Sequence, residues 1–280
     1  MRARRIFQNM PILMSTSSSR PATVARDHSS ASSLTLSAAL GEQLSSLYTL
    51  AQRSDYVFGT PLGPFYHGGR HHYLPRFVYF GPHTSEESPR IAFLAGLDSR
   101  DLRPTLALLH LVEELARAPD IGQSLHLAFY PLVDVLGHQQ PDTTRELAAQ
   151  RWTGAIAPEL DLLAKEARLR TYHAFVRVES VSADDAITLR VRTAPGSSAN
   201  APFFSSEDTE PYAVRWEIES GPPAADGPLS LADDLPFRPI DLTLRVPADW
   251  SPEFYRAAVA SILKRFIVRY RGFLAYGQNL

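Results

Sequence analysis

The sequence predicts an α/β protein, with one largely parallel mixed β-sheet flanked by helices. Three observations carry that prediction. The run Ile91-Ala-Phe-Leu-Ala95 is apolar without alternation and ends at Gly96, the pattern of a central strand covered on both faces. Strand, helix and strand follow one another over residues 91–130, the length of one right-handed crossover in a parallel sheet. The chain has 280 residues, 44 % apolar and 21 % charged, which is enough for one substantial core and ordinary for a globular protein.

The elements follow in order. Residues 1–33 are rich in Ser, Arg and small residues and predict a disordered tail, leaving residues 34–280 as a single α/β domain. The basic start MRARRIFQNMPILM admits three readings: an export signal with a short apolar core, an organelle-targeting tail, or an over-extended start with the real beginning at Met14. Residues 34–52 predict a first helix. Residues 73–80 read as a strand ending at Gly81-Pro82, and the central strand follows at 91–95. Residues 102–117 read as a helix, with Leu106, Leu109, Val112 and Leu115 on one stripe and Pro104 near its start. The next strand, 125–130, ends at Pro131. Residues 144–168 read as mostly helical with a break near Gly154, and 175–178 and 186–191 as alternating strands. Residues 194–236 read as irregular apart from a short ordered piece at 212–218. A strand at 240–246 and a helix at 251–274, with Val259, Ile262, Phe266 and Tyr270 inward, close the chain.

Composition excludes several classes. With no cysteine there is no disulfide, thiolate nucleophile or cysteine metal site, which fits a reducing compartment and a cytoplasmic expectation. A formal net charge of -2 argues against a large nucleic-acid surface. No apolar run approaches the ~18 residues of a membrane span. There is no Gly-x-Ser-x-Gly elbow, no phosphate-binding Gly-Lys loop among only two lysines, and no Gly-x-Gly-x-x-Gly. Lys264, Arg265, Arg269 and Arg271 on the last helix read as a solvated face.

The order of motifs resembles the zinc carboxypeptidase superfamily, particularly its succinylglutamate desuccinylase and aspartoacylase-like branch. The resemblance spans roughly residues 77–273. It rests on the strand and loop ending in Asp98-Ser-Arg-Asp101, and on Phe129-Tyr-Pro-Leu-Val-Asp-Val-Leu-Gly137. It rests also on Thr144-Arg145 with Trp152, the helix containing Pro158-Glu159, and Thr243-Leu-Arg-Val-Pro247. It implies a zinc-carboxypeptidase-like fold. For an active member it further implies zinc held by two histidines and a glutamate, with a second glutamate shuttling the proton.

At those positions this sequence departs from the pattern. The first histidine is replaced by Asp98 and the ligand glutamate by Asp101. The second histidine falls near Val178 or Glu179, neither of them histidine, and the shuttling glutamate is replaced by Arg245. Arginine stays protonated and accepts no proton; Arg100 and Arg245 are expected to offset Asp98 and Asp101 electrostatically. The substrate clamp falls on Arg145, with Arg151 as a displaced alternative, and these are the expected ligand-binding residues.

Outside those positions, His67, His71 and His72 crowd six residues beside two glycines and admit two readings, a divalent metal site or an exposed histidine-rich loop. His110 and Glu113 read as a helix-surface pair, and His83 with Glu86 as a turn. The expectation is therefore a non-catalytic, degenerate carboxypeptidase-like protein with no cofactor. Its cleft would take a small anionic or amide-containing ligand, or a protein partner. One alternative is a zinc hydrolase of N-acyl amino acids or peptides, built on Asp98 and Asp101 with a histidine from 67–72. The other is an interaction module exposing an apolar patch within 194–236.

Overall fold

The computed structural model describes residues 28–140, 145–182, 186–194, 211–219 and 226–277. Helix α1 (His28–Ala51) begins ahead of the expected start at 34, so the last residues of the expected tail are helical; residues 1–27 lie outside the described residues. Then come β1 (Val57–Gly59), the hairpin β2 (Leu62–His67) and β3 (Arg70–Leu74), β4 (Phe77–Phe80) and β5 (Arg90–Leu94). The crossover is α2 (Arg103–Arg117) into β6 (His126–Tyr130), followed by the short α3 (Val135–Gln139). Helix α4 (Pro158–Arg170), β7 (Ala174–Val181), β8 (Ile187–Thr193), β9 (Val214–Glu219), β10 (Ile240–Pro247) and α5 (Pro252–Gly277) complete the chain.

Eight strands form one sheet in the order β1-β4-β6-β5-β7-β10-β8-β9, and β2-β3 pair separately. β6, β5, β7 and β10 are mutually parallel at its centre; β1, β4 and the β8-β9 pair supply the antiparallel joins. Every β5 side chain after Arg90 is buried, as its unbroken apolar run requires.

Two expected elements differ for physical reasons. The single strand expected at 73–80 is two, because Pro75 cannot donate to a ladder. Arg76 beside it turns inward, its Nε donating to the Thr60 carbonyl at 2.8 Å and its guanidinium pairing with buried Glu166. The helix expected over 144–168 occupies only its second half. Pro158 opens it, where a missing N–H is harmless, and Gly154 upstream sits at φ 68°. Residues 141–144, including Thr144, lie outside the described residues, as does most of 194–236. The described parts of that segment include edge strand β9, with Ile218 exposed, and a short 3₁₀ turn at Pro228–Leu231 with Leu229 and Leu231 buried.

Strand alternation gives the sheet two chemically different faces. Phe93, Val176, Val178, Leu242 and Leu244 point to one side, where Phe93 stacks on Phe129 at 5.0 Å and meets Phe266 of α5 edge-on at 6.4 Å. The inward faces of α2 and α5 pack together there; Val259, Ile262, Phe266 and Tyr270 are all buried, whereas Leu106 is only partly so. On the other side Phe175 meets Trp152 and Tyr172, and further along the same face turns charged. Cross-strand register places Asp241 opposite Arg192, Thr243 opposite Arg190 and Arg245 opposite Thr188, with Arg177 and Glu179 alongside on β7.

Among the described residues no helix is long and apolar enough to cross a membrane. A buried titratable group sets a pH limit on this core. His126, against the Phe80 ring at 4.5 Å, is pushed down to about 4, first by burial and then by Arg90, Arg170 and Arg76. Between that value and the ordinary 6.5 the unfolded chain binds more protons than the folded one, so stability falls as pH drops through this window. Urea unfolding at pH 7 and pH 4.5 is expected to show a loss on the order of 2–3 kcal/mol from this residue. His126→Gln is expected to flatten that pH dependence.

Candidate functional site

Because β5, β6, β7 and β10 run parallel, their C-terminal ends open at one edge of the sheet, where α/β proteins place ligands. The loop after β5 starts at Gly96. Its φ of 62° favours glycine, and a Cβ there would lie 2.7 Å from Thr105 Oγ1 and 2.9 Å from Leu132 Cα. The Gly96 carbonyl accepts from Asp134 N at 2.7 Å, locking the β5 loop to the one after β6.

On that loop each aspartate is closed by the arginine two residues on. Asp98 accepts from Arg100 N, Nε and Nη2 at 3.0, 2.9 and 2.7 Å. Its carboxyl is held below the usual range, chiefly by the Arg100 side chain. Asp101 accepts in the same pattern from Arg103 at 3.0, 2.8 and 2.8 Å. Arg103 also lies over the ring of Tyr255, 5.9 Å from its centroid. Arg100 thus offsets Asp98 as expected, but Asp101 is offset by Arg103. Arg245 turns instead to Glu179, its register partner across β7 and β10, with Nε 3.7 Å from the carboxylate. Arg177 stands 3.9 Å from the other Glu179 oxygen.

Deeper on the same face, Arg177 donates from Nε and Nη2 to the two oxygens of Asp241 at 3.2 and 2.7 Å, and from Nη1 to the Ala148 carbonyl at 3.1 Å. Asp241 is fully buried, and burial pushes its carboxyl up against the pull of Arg177.

Arg145, the expected clamp residue, spends its terminal nitrogens internally. They donate to Glu159 at 2.6 and 2.8 Å and to Asp134. Both carboxylates are buried, and Asp134 also caps α3 by accepting from Gly137 N at 3.0 Å. Gly137 has no room for a Cβ, which would fall on Asp134 and Ser99. Arg151 has an exposed side chain and forms a single β-bridge with Gly227.

The three hairpin histidines do not share a face. His67 and His72 lie on one side with ring centroids 6.5 Å apart, and His72 Nε2 lies 3.2 Å from the His67 carbonyl. His71 is on the other side against Tyr66. His110 faces Glu113 at 3.6 Å and Glu114 at 3.5 Å along α2. Among the described residues no group of three or more His, Cys, Asp or Glu is placed to hold a metal ion. The residues at the motif positions do not fit a zinc centre: none of Asp98, Asp101 and Glu179 is a histidine, and each of these carboxylates already has a guanidinium beside it that would repel a dication.

Sequence reasoning did not single out Arg103, Arg177, Asp241, Tyr255 and Thr188. The legible signal was polar residues two apart, Arg177 and Glu179, then Asp241, Thr243 and Arg245, inside strands otherwise apolar. Arg177→Met leaves buried Asp241 without its hydrogen-bonded cation, with only Arg192 at 3.8 Å, and is expected to cost about 3–5 kcal/mol by urea unfolding. Adding Asp241→Leu is expected to recover most of that loss.

No protein-family model and no curated protein matches the chain. Solved structures do. A metallo-carboxypeptidase from Burkholderia cenocepacia matches with a TM-score of 0.61 at 12% identity over 83% of this chain and 69% of that one. A metallo-carboxypeptidase from Pseudomonas aeruginosa, in complex with (2-guanidinoethylmercapto)succinic acid, gives 0.56 at 14% over 81% and 68%. An aspartoacylase family protein from Mesorhizobium loti gives 0.54 at 16% over 75% and 67%. At such identities the likeness establishes the architecture: the chain has the mixed, helix-flanked sheet of the zinc-carboxypeptidase-like fold, and among its described residues no metal-binding cluster.

Proposed function

We propose that this protein is a non-catalytic, degenerate zinc-carboxypeptidase-like protein whose strand-end cleft binds a small ligand or a protein partner. The observation that carries the reading is the charge pairing at that edge. Asp98, Asp101 and Glu179 stand where the resemblance puts metal ligands, and Arg100, Arg103 and Arg245 stand beside them. Two physical consequences follow. A dication approaching these carboxylates meets three fixed positive charges, and a carboxylate bound to arginine must break that pairing before it ligates. Arg245, at the position of the proton shuttle, stays protonated and cannot accept a proton from water. Carboxylates closed by arginine and an arginine at the shuttle position favour binding over hydrolysis. A cytoplasmic setting, consistent with the absence of cysteine, belongs to the same proposal.

Two measurements test this. Elemental analysis of the protein purified without added metal is expected to find zinc far below one atom per chain. Hydrolysis of N-acyl amino acids and of C-terminal peptide bonds is expected to stay at the level of a protein-free control, with and without added zinc. A stoichiometric zinc that survives dialysis, together with zinc-dependent turnover, overturns the proposal.

A further inference from the structure

We infer that a groove between α5 and the turn at Pro119–Gly122 docks an acidic segment of another protein, folded as a helix with apolar anchors along one face. The inference is separate from the reading of the strand-end cleft. The turn leads into the start of β6, so the groove lies at the opposite end of the parallel strands. It has a volume of about 300 Å³ and is lined by Ile121, Lys264, Arg265, Val268 and Arg269. Helical spacing brings the α5 residues together: Lys264 and Arg265 stand one turn before Val268 and Arg269. The inner side of the same turns carries Phe266 and Tyr270, both buried in the core. Val268 is 41% exposed, an aliphatic side chain left outside between cations. One turn beyond, a Cβ on exposed Gly272 would meet nothing within 4 Å, so no side chain closes the face there.

Charge selects the occupant. Helix α5 carries Arg256, Lys264, Arg265, Arg269 and Arg271 against a single acid, Glu253 in its first turn, in a chain whose net charge is -2. Lys264 is paired with Glu114 of α2 at 2.9 Å. Arg271 Nη1 donates to the Asp120 carbonyl at 3.3 Å, a contact that holds the side chain without cancelling its charge. A second copy of this chain would bring like charge against like. Nucleic-acid phosphates would match the cations but leave the aliphatic floor of Ile121 and Val268 unused. A bilayer surface needs an outward apolar face, and α5 turns its own into the core. An acidic amphipathic helix matches both features. Its carboxylates meet Arg265 and Arg269, whose guanidiniums each take more than one acceptor. Its aliphatic anchor covers Ile121 and Val268, with the arginine stems extending the floor.

Fluorescence anisotropy on the full chain tests this. The probe is a labelled helical peptide with leucines three and four residues apart and glutamates on its other face. It is expected to bind saturably, and to weaken as salt rises from about 50 to about 300 mM. A peptide of the same charge with serine at each leucine is expected to bind about tenfold more weakly. Val268→Asp and Arg269→Glu are each expected to weaken the leucine peptide about tenfold, with circular dichroism showing that the variants are folded. Val268→Ser adds no charge and keeps the test readable should a charge-altered chain fail to fold. Equal binding of the two peptides overturns the inference in favour of unspecific charge attraction. A short DNA duplex or phosphatidylglycerol vesicles bound more tightly than the peptide overturn it in favour of nucleic acid or membrane. A concentration-dependent dimer that Val268→Asp dissolves overturns it in favour of self-association. No saturable binding of the leucine peptide overturns it outright. None of these readouts involves zinc or hydrolysis, so failure here and failure of the proposed function are distinguishable.

Discussion

The buried pair between Arg177 and Asp241 organises this end of the molecule. Asp241 has no access to water, and its two oxygens are met by two nitrogens of one guanidinium projecting from the neighbouring parallel strand. A fork-to-fork pair of this kind is planar and directional, so it tolerates little sliding of β10 along β7. A slip of one residue would put a buried carboxylate against an apolar side chain. With that register held, Glu179 has no choice but to face Arg245, and Arg245 to face Thr188. The geometry of the cleft is thus inherited from a charge pair one layer beneath it.

The same solution recurs along the edge. Asp98 with Arg100, Asp101 with Arg103, and Arg145 with Glu159 and Asp134 each place a guanidinium where a carboxylate needs a counter-charge. The pairs differ in weight. Asp98 and Arg100 are half-exposed, and such a pair contributes little to stability. The Arg145 cluster is buried and shapes the loops after β6, while Arg245 and Glu179 fall between these extremes. The chain shares its fold with metallo-carboxypeptidases at 12–14% identity, and at its own strand ends each of these carboxylates stands beside an arginine.

Much of this was legible in the chain. The unbroken apolar run of β5, the stripe of α5 and the strand–helix–strand spacing over 91–130 each follow from a repeat that burial imposes locally. Asp98, Asp101 and Arg245 were visible as substitutions in a motif. The hairpin β2-β3 and the short α3 were not foreseen, because they are stabilised by contacts with α4 and with neighbouring loops rather than by a strong periodicity of their own. Crowding of His67, His71 and His72 in sequence suggested a cluster, but a strand sends successive side chains to opposite faces and divides them.

By itself the sequence determined the class of fold, the central strands, the inward faces of the long helices, and the absence of histidine at the motif positions. Those properties depend on residue type and local spacing, which are complete in one dimension. Which arginine answers which acid was decided only by tertiary structure. Arg103 reaches Asp101 and Arg245 reaches Glu179 because loop direction and strand register set those distances, and Coulomb attraction depends on distance in space rather than along the chain.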